Sequence, residues 1–150
     1  MSLLDANQPE PSRKPYYIII AVLVAFLIAI LIWSAVRFNP EKKVASDFFT
    51  AVAAGNFQQA YKIWQPASDY SFNDFLQDWG PKGFYGPIKS FQIESAEAPP
   101  KSDNEVAVRV LVSAVAPFPT DDATRERKTR SLVIWVNRVN HSLSSPPPAY

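Results

Sequence analysis

The chain has 150 residues, with 15 Lys and Arg against 14 Asp and Glu, one His and no Cys. So even a charge balance gives no general attraction to nucleic acid. One His without Cys leaves zinc ligation and Cys/His nucleophilic catalysis almost nothing to work with, and no disulfide framework is available.

Residues 1–15, with Pro9, Pro11 and Pro15, have the composition of a disordered tail. From Tyr16 to Val36 the chain reads YYIIIAVLVAFLIAILIWSAV without a charge. At about 1.5 Å per residue such a run crosses a hydrocarbon core roughly 30 Å thick, and only a helix satisfies its own backbone there. Residues 16–38 are therefore expected to form one transmembrane helix. A secretory signal fits less well, because its apolar region runs to only about 7–15 residues, and Trp33-Ser34-Ala35-Val36-Arg37 makes a poor cleavage site. Tyr16, Tyr17 and Trp33 suit the headgroup level. Arg13 and Lys14 on one side and Arg37, Lys42 and Lys43 on the other do not settle orientation by charge. Ala21, Ala25 and Ala29 recur every fourth residue, the spacing of a small-residue face through which helices pack in lipid. The bilayer and either other membrane subunits or a second copy are the expected partners.

The remaining residues suffice for one compact domain, placed at 40–140. A first helix is predicted over Pro40–Ala54, with Ala45, Phe48, Phe49 and Val52 on one face and Gly55-Asn56 as its stop. Phe57, Ala60, Tyr61 and Trp64 mark a second helix over Phe57–Trp64. A third has Ser71 as N-cap, Asp74 near N3, an apolar face of Phe72, Phe75, Leu76 and Trp79, and Gly80-Pro81 as its end. The period then becomes alternating. Strands are predicted over Ile88–Ala96, with Phe91 and Ile93 inward, over Asn104–Ala116, with Val106, Val108, Val110 and Val112 on one face, and over Arg127–Val139. Pro117–Glu126 reads as an exposed hairpin tip. Residues 141–150, with Pro146-Pro147-Pro148, read as a second disordered tail whose polyproline run can dock on an aromatic groove. Three helices followed by three antiparallel strands make an α+β fold.

The stretch FFTAVAAGNFQQAY from Phe48 to Tyr61 resembles the opening of NTF2-like domains, and Phe75 through Trp79-Gly80-Pro81, then Gly86-Pro87-Ile88-Lys89-Ser90-Phe91, resembles their passage from third helix to sheet. The resemblance covers about residues 40–138 and rests on packing signatures. It implies helices covering a curved sheet to form a cone, and a bacterial accessory module on one transmembrane helix. The bacterial cytoplasmic membrane, with the soluble domain outside the cytoplasm, is accordingly the expected location.

No catalytic set stands out. Asp47, Asp69, Asp74 and Asp78 lie in the helical part, and His141 follows the last strand. Asp74 is explained as charge at a helix N-terminus. No glycine-rich phosphate loop and no cofactor motif is present. The candidate docking residues are Arg125, Arg127, Lys128 and Arg130, beside Asp121, Asp122 and Glu126, together with Phe84 and Tyr85 in the turn before Pro87. Asn140-His141-Ser142 matches a glycosylation triplet that is frequent by chance. Two readings follow: a non-catalytic membrane accessory or scaffold subunit, or a tethered domain holding a small apolar ligand in its cone.

Overall fold

The computed structural model describes residues 14–65, 69–100, 102 and 104–145. Most of the N-terminal tail and the Pro146-Pro147-Pro148 run lie outside the described residues. The chain forms two compact units, one up to Arg37 and one from Phe38 onward.

The first unit contains α1, Lys14–Val36. Its start two residues before Tyr16 is compatible with Pro15, which is tolerated in a first turn where its missing N–H is no loss. The window Tyr16–Trp33 has a mean hydropathy of 2.9, and none of it is buried within the protein. By length and composition α1 can cross a membrane. At its C-terminal end the Arg37 guanidinium lies 4.8 Å from the centre of the Trp33 ring.

The second unit begins with α2, Asn39–Ala53, and α3, Phe57–Trp64. Between them Gly55 takes a positive φ of 76°. The Asn56 and Gly55 amides then return to the carbonyls of Ala51 and Val52 at 2.9 and 3.0 Å, a helix ending that favours glycine at this position. Asn56 next caps α3, its side chain accepting from the Gln59 amide. Helix α4, Phe72–Trp79, opens with the predicted capping box: Ser71 Oγ accepts from the Asp74 amide, and the Asp74 carboxylate accepts from the Ser71 amide at 3.0 Å. The Ser71 contacts hold the Asp74 carboxyl below its usual range.

The sheet is an antiparallel meander of β1 Ser90–Glu97, β2 Glu105–Ser113, β3 Thr129–Asn137 and β4 Leu143–Ser144, in that order. Val106, Val108, Val110 and Val112 of β2 are all buried, as the alternation predicts. In β1 the register slips between Ile93 and Ser95, leaving Glu94 as the extra residue. That bulge lets Phe91, Ile93 and Ala96 all face Val112, Val110 and Val108, although strict alternation would have turned Ala96 away. Helix α2 lies against β1, β2 and β3.

Two expectations are corrected. Pro117–Glu126 is not a bare hairpin tip, because Asp122–Lys128 form α5, with Asp121 as N-cap accepting from the Thr124 amide at 2.9 Å. The third strand accordingly starts at Thr129 rather than Arg127. The second tail also does not begin at residue 141. Asn137 builds a tight turn, its Oδ1 accepting from the Val139 amide and its carbonyl from His141, and the chain returns as β4. Leu143, only 4% exposed, completes the core opposite Val136. The missed signal was one apolar residue among polar ones, which carries no period.

The core is aromatic between helices and aliphatic on the sheet. The Phe48 ring lies 5.1 Å from Phe49, 5.1 Å from Trp64 and 5.0 Å from Trp79, so α2, α3 and α4 meet at one side chain. Phe48→Ala is expected to lower unfolding stability by about 3–5 kcal/mol, and Leu143→Ala by about 2–3 kcal/mol, in denaturant titration of the detergent-solubilised chain. A Leu143→Ala protein as stable as the parent would show β4 to be dispensable. Because the Asp74 carboxyl is depressed in the fold, its contribution is present above the ordinary carboxylate range and lost as pH falls through the folded value. Ser71→Ala is therefore expected to reduce thermal stability by more near neutral pH than in acid, where only the loss of the Ser71 Oγ cap on the Asp74 amide remains, read by melting curves at the two extremes.

Candidate functional site

The residues singled out for association fall into both units. On α1, Ala21, Ala25 and Ala29 are exposed along with the rest of the apolar window. On the second unit, the docking candidates gather around the turn that joins α4 to β1 and the junction of α5 with β3.

That turn is shaped by the core beneath it. The Phe84 and Tyr85 amides donate to the Gln77 and Asp78 carbonyls, folding the chain back over the end of α4. A Cβ at Gly86 would run into the Gly80 carbonyl oxygen, so the fold needs glycine there. Tyr85 stacks on Trp79 with ring centres 4.4 Å apart and is half-buried. Phe84, by contrast, is 65% exposed and meets Tyr85 edge-on.

Arg130 also has a structural duty. Its guanidinium donates to the Tyr85 carbonyl and, at 3.4 Å, to that of Gly86, pinning the turn to the start of β3. Arg125 pairs with Asp122 at 2.8 Å within α5, and Arg127 Nε donates to the Ala123 carbonyl. Lys128 makes no ion pair or side-chain hydrogen bond among the described residues, and its carbonyl accepts from Ser113 Oγ at 2.9 Å. An open groove of about 330 Å³ runs between the turn and this junction, lined in part by Pro87, Val115, Arg127, Lys128 and Arg130.

Three of the four acidic candidates, Asp47, Asp74 and Asp78, have local partners. Asp47 pairs with Lys43 at 2.7 Å along α2, and Asp78 accepts from the Tyr70 hydroxyl at 2.6 Å. Burial, then the bond to Asp78, push the Tyr70 hydroxyl far above its usual value. Asp69 is exposed. His141 sits in the β3–β4 turn with φ 59° and lines a shallow groove of about 660 Å³ along α2 and α3. Asn140 Oδ1 of the glycosylation triplet is engaged by the Ser142 amide and hydroxyl. No group of three or more His, Cys, Asp or Glu residues is placed to hold a metal among the described residues.

The sequence reading missed one charged pair. Glu41, near the start of α2, is 4% exposed and accepts from Arg138 Nε at 3.2 Å, while its second oxygen has no partner. Arg138 in turn lies 5.9 Å from the Phe38 ring centre. A Glu in a first turn ordinarily signals helix-dipole complementarity, and no local pattern distinguishes it from one that closes on a strand end 97 residues away.

No family model, curated protein or solved structure matches the chain.

Removing Arg138 strands a buried carboxylate. Arg138→Ala is expected to cost about 2–3 kcal/mol of unfolding stability, at the low end for a buried pair because Arg138 is partly in water. Glu41→Gln in that background should recover much of it, which denaturant titration of the double variant checks.

Proposed function

We propose that the protein is a non-catalytic, single-pass accessory or scaffold subunit: α1 packs among helices of a larger membrane assembly, and an NTF2-like domain docks on a neighbour. The observation that carries this reading is α1 itself, an uncharged helix whose window Tyr16–Trp33 has none of its surface buried within the protein. So apolar a surface needs either lipid or other helices around it. Order along the second unit, three helices and then an antiparallel meander with the short α5 inserted between β2 and β3, supports the NTF2-like resemblance.

The inventory of the second unit points the same way. Asp47, Asp74 and Asp78 serve an ion pair, a cap and a tyrosine, so these three candidate acid–base groups have structural roles, and His141 contributes its backbone to a turn. The rival reading, a cone holding an apolar ligand, needs an internal pocket of about 300 Å³ or more. Where it would lie, Phe48, Phe49, Phe75 and Trp79 are packed to near-zero exposure, and a recess beside Trp79 and Ile88 offers about 90 Å³. Under the proposal the chain resides in a bacterial cytoplasmic membrane with its second unit on the extracytoplasmic side.

Gentle detergent extraction followed by size analysis and mass spectrometry is expected to recover a stoichiometric membrane partner or a homo-oligomer. A lone protomer across a range of mild detergents would sink the proposal. Ala25→Leu, which fills the small-residue face, is expected to loosen that association by roughly tenfold while leaving the second unit's melting unchanged.

A further inference from the structure

We infer that the open edge of β3, from Arg130 to Ile134, is a strand-addition site for an extended, apolar segment of a partner protein. The inference rests on the accessory reading and names the place where the second unit docks.

The register of the sheet defines the site. The Arg138 amide donates to the Asn104 carbonyl, so the even-numbered residues of β3 turn their backbone groups to β2 and the odd-numbered ones turn theirs to the opposite edge. Along that edge Asn137 is bonded within its turn, Trp135 faces Ser144 of β4, and the Thr129 amide donates to the Arg125 carbonyl. Because β4 ends at Ser144, the amides and carbonyls of Ser131 and Val133 point outward with no partner among the described residues. Ser131 is exposed. Donors and acceptors left open at two-residue spacing are the template on which an extended backbone adds a strand.

This chain's own segments fit the edge poorly. Continuing the register of β4 would set Pro146 opposite Val133 and Pro148 opposite Ser131, and proline has no N–H to donate. If β3 of a second copy paired with it antiparallel about Leu132, Thr129 of that copy would fall opposite Trp135, where Ser144 already lies. A short free segment meets neither obstacle. Its residue opposite Leu132 would lie on the core face, and its residue opposite Val133 on the outer face beside Trp135. Leu132, Val133 and Trp135 are all half-buried, so apolar side chains gain most at those places. At the other end of the sheet the edge strand β1 carries its bulge at Glu94, a device that blunts an edge.

The test uses the full chain, extracted in mild detergent with its partner bound and, from the same preparation, after a harsher detergent has stripped the partner, read by residue-resolved amide hydrogen exchange. The Ser131 and Val133 amides are expected to exchange roughly tenfold more slowly in the assembly, while those of Leu132 and Ile134, already turned to β2, change little. Ser131→Pro, whose ring nitrogen faces away from β2, is expected to weaken the association by roughly tenfold with exchange in β2 unchanged, and Ser131→Ala to leave it as in the parent. Should Ser131→Pro disturb β2, the exchange pattern of the parent chain decides. Equal exchange of the two amides in an intact assembly, or association unaffected by Ser131→Pro with β2 intact, overturns the inference and leaves the accessory reading standing. Protection of both amides in an assembly of this chain alone gives the edge to a second copy and overturns the partner assignment. A lone protomer in mild detergent overturns the accessory reading and this inference together.

Discussion

The second unit is organised around the ring of Phe48. It meets Trp64 from α3 and Phe75 and Trp79 from α4 while its own helix lies on the sheet. Aromatic edges and faces fix orientation as well as distance, each such pair adding about 0.5–1.5 kcal/mol beyond area burial. Three helices thus share one contact that none can satisfy alone. Helices of eight residues, such as α3 and α4, are too short to hold themselves in water. Their stability comes from this interlock and from the side-chain caps at Asn56 and Ser71.

The same interlock sets the exposed surface. Trp79 ends α4 and carries Tyr85 stacked upon it, so the turn from Gly80 to Pro87 is positioned by the core. Phe84 is left outside because Tyr85 takes the inner place. Arg130 then ties the turn to β3, and this tie brings the end of α5 beside it. A groove built in this way is held by packing from one side and by carbonyl contacts from the other. Its charge follows from how the carboxylates are used, since Asp121 and Asp122 are drawn into α5's own cap and ion pair.

Period and punctuation made most of the fold legible. The expected span of α3, the capping box of α4 and the valine face of β2 follow from local rules that burial then reinforces. What local rules missed depended on distant partners. Leu143 is an apolar residue in a polar stretch until Val136 is placed opposite it. The helix α5, DATRERK, buries no residue and so carries no amphipathic stripe to reveal it. Glu41 reads as a surface acid until Arg138 arrives from the end of β3. At the candidate site the charges were visible but their duties were not, because Arg130's partners are backbone carbonyls, which no side-chain pattern encodes.

The anchor poses a separate physical problem. A helix apolar all round has no side that lipid disfavours, so hydrophobicity gives α1 no preferred rotation and no preferred neighbour. Selectivity has to come from shape, and the row Ala21, Ala25 and Ala29 is the contour the sequence provides. Successive alanines are about 6 Å apart along the axis, and each is turned about 40° from the last, so the row spans little more than two turns before it drifts off a straight seam. Close approach over so short a stretch favours a crossed pair rather than a long supercoil. A crossed contact of this size is weak alone and acquires specificity only when a second site restricts how the helix can present it. A second contact made by the other unit on the same partner would supply that restriction by raising the effective concentration of the helix pairing.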